Sequence, residues 1–141
     1  MVQKKNKFNA VKATYRGMTF DSRKELKRYL YLLHLQKFGV ISQLRRQVRF
    51  RIIPPLYGMR QVCHAKTIVL RPYIIDRAAY YTCDFLYREN GKIIIEDVKS
   101  AETAKLKDYI LRRKLVIRMV YSHNARRGRD VFEFRECGMK R

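Results

Sequence analysis

The stretch Tyr80-Tyr81-Thr82-Cys83-Asp84-Phe85-Leu86-Tyr87-Arg88-Glu89-Asn90-Gly91-Lys92-Ile93-Ile94-Ile95-Glu96-Asp97-Val98-Lys99 decides how this chain reads. Both halves are rich in the β-branched and aromatic residues that suit strands. Asn90-Gly91 between them is the preferred pair for a two-residue type I′ turn, whose central positions both need positive φ. With that turn Glu89 faces Lys92, Asp84 comes opposite Asp97, and Thr82 opposite Lys99. Alternation then sets Asp84, Asp97 and Lys99 on one face with Leu86, Ile93 and Ile95. Phe85, Tyr87, Ile94, Glu96 and Val98 take the other. Strands apolar on both faces belong inside a layered domain.

Directly opposed carboxylates destabilise a hairpin, so either a cation sits between them or one holds a proton. The chain has only 12 acids, which makes an incidental facing pair a weak explanation. A hard divalent ion with oxygen ligands fits, Mg²⁺ most naturally, and the backbone carbonyl of Val98 offers a further oxygen. The plainer reading is two solvated edge charges neutralised by Lys99. Glu96 falls on the opposite face, as an ion-pair partner for a helix. A slip of one residue would instead make Glu96 the ligand.

Outward from the hairpin, Ser22 and Glu25 fit a capping box, and Leu26, Leu30 and Leu33 recur at helical spacing, so a helix is expected over about 22–38, ended by Gly39. Glu25 has two open roles, helix cap or third carboxylate of the site. Val48, Phe50 and Ile52 alternate with Gln47, Arg49 and Arg51 as a strand, stopped by Pro54-Pro55. Residues 56–78 are undecided, with strand-like Thr67-Ile68-Val69-Leu70 and a break at Pro72. A basic helix is expected over about 103–118, then a strand at Met119-Val120-Tyr121, a basic turn at Ala125–Arg129 and a short strand through Val131, Phe132 and Phe134. Residues 1–14 read as a basic flexible arm and 15–141 as a single domain. The class is α/β or α+β, with a mixed central sheet flanked by helices.

The 141 residues carry 33 Lys plus Arg and a formal charge of +21, with 47% apolar residues. That is enough for a core, and a polyanion would relieve the self-repulsion. Nucleic acid is the expected partner. A membrane-surface helix would concentrate its charge in one segment, whereas here the basic residues run from Lys4 to Arg141. No apolar run approaches a bilayer span, and no secretory signal opens the chain. Cys63, Cys83 and Cys137 form no C-x-x-C pair, so a reducing cytoplasm is the default. Cys63-His64 has no second pair at zinc spacing, and His34 and His123 stand apart. Arg45, Arg46, Arg49 and Arg51 suit phosphate contacts and a solvated face equally well.

Asp84…Asp97-Val98-Lys99 resembles the signature of the PD-(D/E)xK nuclease superfamily. Phe20-Asp21-Ser22-Arg23-Lys24-Glu25, Gln47-Val48-Arg49-Phe50, Thr82-Cys83-Asp84-Phe85 and Glu96-Asp97-Val98-Lys99, in this order, look like a group of small phage-encoded members. They are also similar to the catalytic domain of the transposon endonuclease TnsA and, more distantly, to RecU-type junction resolvases. Cys83 departs from the proline often found there. The resemblance implies a restriction-endonuclease-like core, with Asp84, Asp97 and Glu25 as metal ligands and Lys99 acting on the attacking water or the phosphate. It implies Mg²⁺, with Mn²⁺ substituting, and a basic residue near the site at Lys114.

The expectation is thus a Mg²⁺-dependent DNA endonuclease acting in the cytoplasm. By family analogy alone it cuts branched DNA such as a Holliday junction, as a homodimer with two symmetric sites. The competing class is a non-catalytic basic nucleic-acid-binding protein of ribosome-associated or packaging type. It explains the charge but gives no reason for Asp84 opposite Asp97.

Overall fold

The computed structural model describes residues 11–138. The expected arm therefore lies mostly outside the described residues, and the described chain enters its first strand at Ala13. Strands β1 (Ala13–Tyr15) and β2 (Met18–Phe20) form a small hairpin. Helix α1 follows at Arg23–Lys37, capped by the Ser22 hydroxyl, which accepts from the Glu25 N–H at 3.1 Å. Gly39, at φ +75, lies just beyond its end. Next come β3 (Ser42–Ile53), β4 (Leu56–His64), β5 (Thr67–Asp76), β6 (Ala79–Glu89) and β7 (Lys92–Val98). A 3-10 turn at Thr103–Lys105 leads into α2 (Lys107–Arg127), and β8 (Phe132–Cys137) closes the described chain.

The fold is α+β. The main sheet has the order β3-β6-β7-β8 and is mixed, with β6 antiparallel and β8 parallel to β7. Asn90 and Gly91 both have positive φ, as the type I′ turn requires, and the ladder runs Glu89↔Lys92 to Phe85↔Glu96, in the expected register. Two faces follow from it. Phe85, Tyr87 and Ile94 pack with Leu32 of α1 and Ile41 in one buried cluster. On the other face, Glu136 of β8 pairs in register with Asp97 and meets Arg113 of α2. Asn124 of α2 also donates to the Phe132 carbonyl. The helices therefore cover opposite faces of the sheet.

Two expectations for the C-terminal third are corrected. Met119-Val120-Tyr121 is not a strand but lies inside α2, where Val120 is buried. Ala125, Arg126 and Arg127 are still helical, and the turn comes only at Gly128, at φ +63. Strand propensity at three residues lost to about two and a half more turns of helix, which bury Val120.

Within the stretch expected as one domain, two compact units are distinguished: one runs through Val48 and resumes at Cys83, and the other is Arg49–Thr82. The second unit contains the β4–β5 ribbon, a long antiparallel hairpin turned by Ala65-Lys66, both at positive φ. Its register puts Tyr57, Met59, Gln61 and Cys63 on one face with Ile68, Leu70, Pro72 and Ile74. Gly58, Arg60, Val62 and His64 share the other with Thr67, Val69, Arg71 and Tyr73. The Tyr73 ring lies over Gly58, where a Cβ would stand 2.9 Å from it. No helix among the described residues is long and apolar enough to cross a membrane.

Candidate active site

Three carboxylates and one ammonium gather where β6 and β7 leave their ladder. Asp84 accepts from the Val98 N–H at 2.7 Å. This contact uses the N–H of Val98, not the carbonyl expected as a ligand. Lys99 Nζ lies 3.7 Å from Asp84 Oδ2 and 3.5 Å from Asp97 Oδ1, so one ammonium spans both acids. Asp97 is fully buried. The Tyr109 ring, in the first turn of α2, covers Lys99 with Nζ 5.1 Å from its centroid. Lys99 N–H extends the β7–β8 ladder by donating to the Cys137 carbonyl at 3.0 Å.

Glu25 makes a capping contact and also faces the cluster. It accepts from the Asp21 N–H at 3.0 Å, a capping contact, while its other oxygen accepts from Gln47 Nε2 at 3.2 Å. The same Gln47 amide reaches Asp84 Oδ1 at 3.5 Å and so ties the two carboxylates together. Gln47 sits at φ +50 in the middle of β3. Such a local departure from extended geometry re-aims a side chain. Gln47 opens one of the blocks that carry the resemblance, but neither it nor Tyr109 is given a site role by the sequence. The signal for such a role is position, a polar residue in an alternating strand and an aromatic residue early in a helix.

Burial is the main force raising the Asp84 carboxyl, to about 7; Asp97 and Glu25 add to it, and Lys99 and the Val98 N–H oppose it. Burial likewise raises Glu25, against the hydrogen bonds from Asp21 and Gln47. Both rises come chiefly from burial, a cost to the ionised forms that a bound cation would offset. Among the described residues no group of three or more His, Cys, Asp and Glu side chains is arranged to hold a metal ion. Mg²⁺ does not need one, because it keeps several waters and takes one or two carboxylates together with substrate phosphates. Asp84 and Asp97 are such a donor pair. Asp84 opens onto a groove of about 750 Å³ that Asp21, Glu25, Lys99 and Thr103 also line, while Asp97 lies buried behind Lys99.

Glu96 faces away from this site. The Arg28 guanidinium of α1 donates to it twice, at 2.7 and 2.8 Å, and the Tyr87 hydroxyl donates at 2.7 Å. It is the ion-pair partner of a helix, as one reading of the sequence had it. The basic candidates separate. Arg46 is built into the fold: its guanidinium lies 3.8 Å over the Phe20 ring and donates to the Thr19 carbonyl. Arg49 stacks 3.7 Å over Tyr80. Arg45 and Lys114 are exposed, and Lys114 does not line the groove.

A model of a family described as "Protein of unknown function (DUF1064)" matches residues 5–126. The chain belongs to this family. No curated protein and no solved structure matches it. The matched span holds Glu25, Gln47, Asp84, Asp97, Lys99 and Tyr109, while β8 lies beyond it.

Proposed function

We propose that this chain is a metal-dependent endonuclease that hydrolyses phosphodiester bonds in DNA. The observation that carries the reading is the Lys99 ammonium held between Asp84 and Asp97 on the sheet face covered by α2. A chain of +21 with this constellation at a groove has both a means of holding a polyanion and a means of cutting it.

Asp84 and Asp97 would hold Mg²⁺, with Mn²⁺ able to replace it and Glu25 and the Val98 carbonyl at hand as further oxygen donors. The bound cation supplies Lewis acidity at the phosphoryl oxygen and lowers the pKa of a coordinated water. Gln47 fixes Glu25 and Asp84 relative to each other. Lys99, steadied by the Tyr109 ring, would stabilise the charge that develops on the phosphate. Arg45 and Arg49 carry positive charge for backbone contacts, and the absence of a base-reading motif suits recognition of shape.

Branched DNA is the proposed substrate, and symmetric cutting of a junction entails a homodimer. The three cysteines are free, consistent with action in a reducing cytoplasm. The test is nicking of supercoiled plasmid with Mg²⁺ and with EDTA, followed by a panel of junction, flap, single-stranded and duplex DNA. Cleavage that needs Mg²⁺ and disappears in Asp97→Asn supports the reading. Undiminished DNA binding with no cleavage under any metal would leave the non-catalytic binding protein in its place.

A further inference from the structure

The β4–β5 ribbon has two faces of opposite character. One bears Arg60 and Arg71, directly opposed in the ladder, with Arg60 5.8 Å over the Tyr73 ring. The other bears no charged side chain at all and is exposed along its whole length, with Met59 60%, Ile68 68% and Leu70 62% accessible. A two-stranded ribbon is marginal by itself and gains stability when a face is covered. An uncharged and mostly apolar strip of this kind, broken only by Gln61, marks an interaction surface.

We propose that this uncharged face packs against the same face of a second copy of the chain. Charge selects the occupant. Two bodies of +21 repel, and an uncharged face allows them to meet without opposing cations at close range. Nucleic acid, by contrast, would find no phosphate partner there and would be drawn to the Arg60–Arg71 side. Size agrees as well: at their exposures the side chains of this face offer on the order of 700 Å² per copy, against roughly 800 Å² per partner in a standard stable interface. A two-fold axis through the strip makes the contact isologous, and sheet-on-sheet packing seats Met59, Ile68 and Leu70 between the ribbons. Both arginine-bearing faces then point outward, on opposite sides of the dimer.

The pairing rests on the ribbon's own surface and not on the nuclease reading, so light scattering and plasmid nicking can fail separately. Light scattering at micromolar concentration should give twice the chain mass, and Ile68→Lys with Leu70→Lys should give the monomer. Arg60→Ser with Arg71→Ser, on the opposite face, should leave the dimer intact. Cys63 lies on the buried strip and is exposed in the single chain, so its reaction with a thiol reagent should slow as wild-type concentration rises. That readout needs no substitution in the ribbon. A wild-type monomer throughout the micromolar range, or a Cys63 rate independent of concentration, overturns the proposal. So does a dimer that survives both lysines. A monomer whose DNA affinity falls in Ile68→Thr with Leu70→Thr would assign the face to nucleic acid instead.

Discussion

Replacing Asp84 by Asn, with metal removed, tests the electrostatics of the site apart from any reaction. The carboxyl is raised from 3.8 to about 7 in the folded chain, chiefly by burial and then by Asp97. That rise corresponds to at most ~4 kcal/mol in favour of the protonated form. The sign follows from linkage. Well below pH 3.8 the group is protonated folded and unfolded alike, and it costs nothing. As pH rises towards 7 the unfolded chain ionises freely while the folded one resists, and above 7 the whole cost is present. The rise is already net of the attraction to Lys99, and Asn keeps an acceptor for the Val98 N–H; with solvent screening and local relaxation discounted from that ceiling, about half of the cost should be recovered. In EDTA at pH 8, Asp84→Asn should therefore be more stable than wild type by ~2 kcal/mol, about 4–8 °C in melting temperature. At about pH 3 the advantage should have all but vanished. Adding Mg²⁺ at pH 8 should raise the wild-type melting temperature and leave the variant's unchanged, since only the former keeps both anionic ligands. A variant less stable than wild type at pH 8 in EDTA would mean that Lys99 outweighs burial and repulsion together, and the reasoning would be refuted.

Arg28→Ala leaves the fully buried Glu96 without its guanidinium and should lower stability by about 3 kcal/mol in urea titration, with the cleavage rate of the folded fraction retained. Gly138→Ala puts a Cβ 2.9 Å from the Lys99 carbonyl at a φ of +93; cleavage should fall while DNA affinity, measured by anisotropy, stays the same. Lys99→Ala should abolish cleavage without tightening DNA binding in EDTA, whereas Asp97→Asn should abolish it and hold or tighten binding. DNA affinity should fall steeply on a log–log plot against salt, and a flat plot would show that the basic residues do not neutralise phosphates.

The hairpin was legible because its turn is written in residues that have one preferred use. Asn90-Gly91 fixes the register, the register fixes which side chains share a face, and Glu96 and Asp97 fall on opposite faces without further information. The β4–β5 ribbon was illegible for the converse reason. Its turn is Ala65-Lys66, both forced to positive φ in residues that carry no such signal. Its apolar strip has no core to face, and Pro72 interrupts the pattern. Gln47 reaches Glu25 and Asp84 from a residue whose backbone leaves the extended region, which alternation alone does not foresee. Arg46 suited a phosphate contact and a solvated face equally in the sequence, which shows the charge but not the Phe20 ring beneath it.

Glu96 and Asp97 are neighbours, both fully buried, and one peptide bond assigns them different fates under mutation. Glu96 holds α1 to the sheet through Arg28, so the damage from losing it is a matter of foldedness alone. A second change anywhere in the chain that adds stability can restore what was lost. Asp97 has its place in the proposed chemistry, and no gain in stability elsewhere returns a missing ligand. In a selection for revertants, Glu96→Gln should be rescued by many scattered suppressors, and Asp97→Asn only by restoring the acid itself.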